Sequence, residues 1–229
     1  MSGKVYINAA FPSSKPFQVY FFMKNKYMRL YYTPGELGDE ILTPLELVST
    51  GFTSLAGTPF AEQGIDCSFN TEGSEAYIFS YNNCAYIDYA PNTGNDRILV
   101  GPTTIDEMFP DLKNTWFADG VDGAFRSTRD KEVYIFKGKQ YARINYDTKK
   151  LTQRFYGISE GFPVLKGTIF ENGIDTCFSS HLENEVYLFK GDEYVRMKVD
   201  PHGSQDTLMD FVIPIVEGWP ELKDILPLS

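Results

Sequence analysis

Apolar and polar positions along this chain form a five-residue phrase that occurs four times: β-branched, Asn or Asp, variable, small, Phe. It reads Ile7-Asn8-Ala9-Ala10-Phe11, Ile65-Asp66-Cys67-Ser68-Phe69, Val121-Asp122-Gly123-Ala124-Phe125 and Ile174-Asp175-Thr176-Cys177-Phe178. The copies are 58, 56 and 53 residues apart, a period that points to a propeller, a solenoid or an array. In an extended segment, alternation sends the β-branched, middle and Phe side chains to one face and the Asx and small residue to the other. A small residue at one place in every copy signals crowding there. Four equivalent strands meeting at an axis would produce it.

A second strand follows each phrase, predicted at Gln18 to Phe22, Glu75 to Phe79, Glu132 to Phe136 and Glu185 to Phe189. A tight turn (Lys24-Asn25, Lys137-Gly138, Lys190-Gly191) leads to a third strand at Tyr27 to Leu30, Tyr141 to Ile144 and Tyr194 to Met197, with Cys84-Ala85-Tyr86-Ile87 in the second copy. The second-strand Tyr and the first residue of the third strand are seven positions apart in every copy. Constant spacing inside each unit and variable spacing between units mark hairpin-connected strands of one module.

The linkers are looser, and Tyr32 to Leu42 resembles Tyr89 to Gly101. Each linker yields a short stretch of helical spacing, such as Thr104 to Phe109, and closes on Gly51-Phe52, Met108-Phe109-Pro110, Gly161-Phe162-Pro163 or Gly218-Trp219-Pro220. The modules are therefore placed at 4–60, 61–116, 117–169 and 170–229, within a single domain spanning 1–229. A solenoid needs distinct capping repeats, yet the outer modules are as regular as the inner pair. Radial closure removes the ends instead. The expected fold is all-β, a four-bladed β-propeller with short helices between blades.

The 229 residues are 42% hydrophobic and 15% aromatic, enough to bury a full core. Net charge is −10, which argues against nucleic acid or anionic membrane partners and leaves room for cationic ligands. No apolar run approaches the roughly 20 residues of a membrane span, and no signal peptide is read. Cys67, Cys84 and Cys177 are too few for a disulfide framework; buried reduced thiols in a reducing compartment are expected. Cys84 stands where the other copies have Tyr and should leave a smaller side chain there. Metalloprotease, redox, nucleophile-elbow and phosphate-loop motifs are absent, and two histidines leave little for general-base work. An enzyme is not expected.

The repeats, with their Asp-x-Ala-Phe start, Glu-Val-Tyr-x-Phe-Lys-Gly centre, Tyr-x-Arg third strand and Gly-Phe-Pro close, resemble hemopexin repeats. The whole chain, with its Tyr-Ile-Asn-Ala-Ala-Phe opening and Asp-Tyr-Ala-Pro-Asn linker, is similar to the legume seed albumin-2 family. That resemblance implies a calcium site in the central channel, with the backbone carbonyls of Asn8, Asp66, Asp122 and Asp175 as ligands, and sodium and chloride further along it. Oxygen donors suit a hard cation; the competing reading is that the Asx residues only bond neighbouring backbone. It also implies binding of the polyamine spermine, haem as an alternative ligand with His181 or His202 as axial candidates, and a homodimer linked to ligand state. The cytosol of seed storage tissue is the expected location. A seed storage protein without a specific ligand and a lectin-like interaction module are the alternatives. The repeated Arg29, Arg143 and Arg196 read either as an anion site or as partners of Gln18, Glu132 and Glu185. Secreted hemopexin domains usually tie the first blade to the last with a disulfide. No cysteine lies in the first repeat, so closure should rest on packing, with Trp219 and Leu222 as anchors.

Overall fold

The computed structural model describes residues 4–203 and 205–227. Each repeat folds into one antiparallel sheet. The first holds β1 (Ala9–Pro12), β2 (Gln18–Met23), β3 (Lys26–Tyr31) and β4 (Glu40–Leu47). The second holds β5 (Cys67–Asn70), β6 (Glu75–Ser80), β7 (Asn83–Asp88) and β8 (Arg97–Thr104). The third holds β9 (Gly123–Arg126), β10 (Glu132–Lys137), β11 (Gln140–Asn145) and β12 (Lys150–Gly157). In the fourth, β13 (Thr176–Ser179), β14 (Glu185–Lys190) and β15 (Glu193–Lys198) are followed by a broken outer strand, β16 (Thr207–Leu208) and β17 (Ile213–Pro214). Single helical turns at Val48–Gly51, Ile105–Met108, Ile158–Gly161 and Ile215–Gly218 follow the outer strands.

The sheets are four blades of a closed ring. Each first strand packs against two others, β1 on β5 and β13, and β9 on β5 and β13. Among the described residues, four apolar clusters fill the four seams between blades. This is why the second strands read as unbroken apolar runs. In β2, Tyr20 and Phe22 face the seam with the second blade, while Val19, Phe21 and Met23 face the seam with the fourth. A strand buried on both faces loses the alternation that a half-exposed strand keeps. Outer strand β12 keeps it, with exposed and half-buried residues in turn.

The facing expected for the five-residue phrase needs correction. Ile7 joins Ala10 at the seam with the fourth blade, whereas Ala9 and Phe11 face the second. Likewise Ile65 and Phe69 lie at different seams, as do Val121 and Phe125. The strands begin only after the Asx residue, at Ala9, Cys67, Gly123 and Thr176. The β-branched residue therefore lies before the extended segment, and the period of two does not reach it. The middle position, read as variable, is small in every copy. A Cβ on Gly123 would meet Cys177 Sγ at 3.2 Å and Thr176 Cα at 3.4 Å, so crowding acts there too.

Closure rests on packing, as expected. Trp219 is 2% exposed. Its ring lies 5.1 Å from that of Phe21 in the first blade and 5.6 Å from that of Tyr187 in the fourth. Leu222 is buried in the same cluster. Among the described residues all three cysteines are free and buried, and burial pushes their thiols well above the usual range.

Candidate functional site

Asn8, Asp66, Asp122 and Asp175 each stand one residue before an inner strand. Their amides donate to the carbonyls of Phe22, Phe79, Phe136 and Phe189, at 2.8 to 2.9 Å. Their side chains accept from the backbone N–H of Lys24 at 2.8 Å, and of Tyr81, Gly138 and Gly191 at 2.7 Å. Each of these donors is a turn residue with positive φ, between 51° and 56°, and a short carboxylate or amide is suited to hold such a turn. The side chains thus fix the hairpin beside each inner strand, and Asn serves as well as Asp. Among the described residues, no backbone or side-chain donor reaches the four carbonyls of these same residues.

Three of the four sites carry charge near one another. Burial pushes the Asp66 and Asp175 carboxyls up, the amides of Tyr81 and Gly191 oppose it, and the charge of Asp122 raises both. Lys137 and Lys190 flank this end, donating to the carbonyls of Gly120 at 2.9 Å and Gly173 at 2.8 Å. Burial lowers the Lys137 ammonium. At the other end, a cavity of about 410 Å3 is lined by Pro12, Asn70, Arg126 and Ser179, the last residues of the inner strands. Among the described residues no group of three or more His, Cys, Asp and Glu side chains could hold a metal. A cation here would have to use main-chain oxygen, and the unengaged carbonyls fit that requirement.

The two histidines are not alike. His181 lies by the cavity at the far end, with Nδ1 2.9 Å from Tyr32 Oη and Nε2 3.0 Å from the Ser13 carbonyl. The neutral tautomer satisfies both, with Nε2–H donating to Ser13 and Nδ1 accepting from Tyr32. Burial lowers its pKa. Both ring nitrogens are committed to joining the fourth blade to the first, which leaves neither to ligate haem iron. His202 is exposed on a turn beside Asp200.

The repeated arginines behave as partners more than as an anion site. Arg143 donates to Glu132 at 3.0 Å. Arg196 lies 3.6 Å from Glu185 but bonds chiefly to Asp210. Arg29 departs from expectation, bonding Asn92 of the next linker, and Gln18 Oε1 is left without a partner among the described residues. In the second blade Tyr86 donates to Glu75 instead.

Two features escaped the sequence reading. The third-strand Tyr packs its hydroxyl on the Gly that closes its own repeat; a Cβ would fall 1.9 Å from Tyr27 Oη at Gly51 and 1.7 Å from Tyr194 Oη at Gly218. The second repeat has neither residue and instead buries Cys84 and Met108 in one cluster. Reading the two departures together, small for large and large for small, would have revealed the contact. Asp39, in the loop between β3 and β4, is 8% exposed, and its Oδ2 has no partner among the described residues. Burial, with help from the charge of Glu221, pushes its carboxyl from 3.8 up to about 7. The unfolded chain therefore loses this proton before the folded one, so ionised Asp39 costs stability fully above about pH 7, and the cost fades as pH falls towards 4. Asp39→Asn should be more stable than the parent at pH 8, on the order of 2 kcal/mol. The difference should close progressively in acid, as read by denaturant titrations at several pH values.

Comparison with known proteins agrees with this architecture. Residues 121–169 match the Hemopexin family. The chain is 51% identical to Albumin-2 of Lathyrus sativus, over 97% of this chain and 98% of that one. It superposes on the hemopexin fold protein CP4 from cow pea with a TM-score of 0.96 and 62% identity, covering 98% of this chain and all (100%) of the other. A plant lectin with two metal binding sites from Cicer arietinum superposes equally well, with a TM-score of 0.96, 50% identity and coverage of 98% and 100%. Four blades of this repeat define a hemopexin-fold protein, and, in common with the seed albumins it resembles, it is non-enzymatic. Within that class, the chain belongs to the albumin-2 family of seed albumins.

Proposed function

We propose that this seed albumin binds a hard cation of the calcium class at the axis of the ring, on the carbonyl oxygens of Asn8, Asp66, Asp122 and Asp175. The observation that carries the reading is the division of labour in those residues. Amide and side chain are both engaged, and the carbonyl alone has no donor. Four carbonyls at equivalent places around one axis, on residues that are half-buried, suit an ion taking oxygen ligands with water completing the shell. The nearby carboxylates add long-range attraction. The metal sites of the chickpea lectin support the reading.

Metal analysis of protein purified without added salts should find bound Ca2+, and chelator should lower the melting temperature. The triple variant Asp66→Asn, Asp122→Asn, Asp175→Asn should still fold, since Asn8 already holds its turn through an amide oxygen. It should bind Ca2+ about tenfold or more weakly, because the carbonyls remain and the charges do not. Metal-free protein with no chelator effect would end the reading.

The same acidic end supports spermine as a polycationic ligand, since ammonium groups donate to carboxylates and carbonyls. Calorimetry showing only dilution heat would count against it. The haem reading rests on His202 once His181 is committed to the blade seam, and a haem spectrum unchanged in His202→Ala would remove it. The lectin-like reading draws on the chickpea relative; a silent glycan array would dispose of it.

A further inference from the structure

At each seam, the linker after the third strand of one blade lies against the preceding blade. The residue three places into that linker meets the third strand of its neighbour. Asn92, three after Tyr89, bonds Arg29. Lys149, three after Tyr146, holds its Nζ 4.3 Å from the ring centre of Tyr77 and 5.8 Å from that of Tyr86. His202, three after Val199, lines a cavity with Arg143. Where the fourth blade meets the first, the corresponding residue is Gly35, three after Tyr32. A Cβ there would collide with the Arg196 guanidinium, so position 35 sends no side chain into this seam. The cavity left open holds about 450 Å3, against about 230 Å3 between blades one and two and about 160 Å3 between blades three and four.

This largest seam cavity lies between the fourth blade and the β3–β4 loop of the first, with Tyr187, Tyr194 and Trp219 in its lining. Its volume falls within the range of about 300–1,000 Å3 usual for clefts that take an organic group. The lining continues outward onto large apolar side chains left in water. Leu37 is 69% exposed and Phe211 88%, and Met209 between them is exposed as well. Met209 and Phe211 stand there because the outer strand is broken between β16 and β17. Exposed apolar surface continuous with a cleft marks an interaction site. Its rim is acidic. Glu36 and Glu217 line the cavity, are exposed, and among the described residues take part in no ion pair. Asp210 lies there too, and it already matches the one guanidinium in the lining, that of Arg196.

We propose that this face docks an extended segment of another protein, one that seats an aromatic side chain in the cavity and carries arginine on either side of it. A small molecule held in the cavity alone would leave Leu37 and Phe211 in water, whereas a chain segment crossing the mouth covers both. An apolar anchor in a pocket, inside a polar rim, supplies most of the affinity of such a contact. Arginine suits the rim because its guanidinium meets a carboxylate through two parallel hydrogen bonds. A second copy of this chain does not suit it. A two-fold contact through this face would set Glu36, Asp210 and Glu217 against their own counterparts, on a chain whose net charge is −10. The proposal does not depend on the axial cation or on any ligand of the channel.

Panning a random-peptide display library on the full chain should enrich sequences in which an aromatic residue is flanked by arginines. An enriched peptide, synthesised with a fluorescent label, should bind saturably by polarisation. The double variant Leu37→Ser, Phe211→Ser changes only exposed side chains, so its melting temperature should stay put while its affinity for the peptide falls about tenfold or more. Glu36→Gln with Glu217→Gln should weaken binding and flatten its dependence on salt between roughly 50 and 500 mM. The proposal is overturned by no enrichment, by enriched peptides that lack the arginines, or by full affinity in either double variant. Sedimentation completes the test: a dimeric parent that becomes monomeric in Leu37→Ser, Phe211→Ser would give the face to a second copy and overturn the proposal as well.

Discussion

Trp219→Ala should destabilise the fold by about 3–5 kcal/mol, lowering the melting temperature by roughly 10 °C for a chain of this size. The indole sits on the seam that joins the last blade to the first. It touches Phe21 and Tyr32 on one side, at 5.1 and 5.6 Å between ring centres. On the other it meets Tyr187 and Phe189, at 5.6 and 6.3 Å. Truncation opens a void between two sheets joined here without a covalent link among the described residues, and a gap between rigid sheets closes poorly. Trp116, which is 44% exposed, provides the control: Trp116→Ala should stay within about 1 kcal/mol of the parent. Chemical denaturation of the two variants decides the matter. Equal losses would mean that the last seam is not where the ring is held shut.

Gly161→Met should cost on the order of 3 kcal/mol alone, and most of that should return when Tyr141→Cys is added. A Cβ on Gly161 would lie 1.9 Å from Tyr141 Oη, so any side chain there displaces the ring. Tyr141→Cys alone opens a cavity and removes the partner of Gln153 Nε2, at 2.8 Å. Together they install the pair that the second blade already uses, Cys84 with Met108. A double-mutant cycle on unfolding free energies measures the coupling. Simple additivity would show that the two positions are independent and that the blade-two pair arose for unrelated reasons.

Much of this was legible in the chain because propeller blades are local. A blade's hairpins form between residues near in sequence, so the Tyr20-to-Tyr27 spacing and its three counterparts mark the same β2–β3 hairpin each time. The role of Trp219 was legible for a related reason: the last repeat ends on the motif that closes the others. The Asx positions were found but their use was not divided. Sequence offered a metal site or a turn; the structure gives the turn to the side chains and leaves the carbonyls over. Lys149 was hidden because the ring it covers, Tyr77, belongs to the preceding blade, although Tyr86 in place of the repeated Arg was a clue that the charge came from elsewhere.

By itself, the sequence determined four like sheets, their order, and which residues are apolar enough to fill the seams. These follow from periodicity and turn chemistry, which act over a few residues. Only the tertiary structure decided which side of a seam Ile7 faces, which carbonyls go without a donor, and which cation covers Tyr77. Each of those depends on a loop or strand brought in from a neighbouring blade, and no local pattern encodes the distance between them.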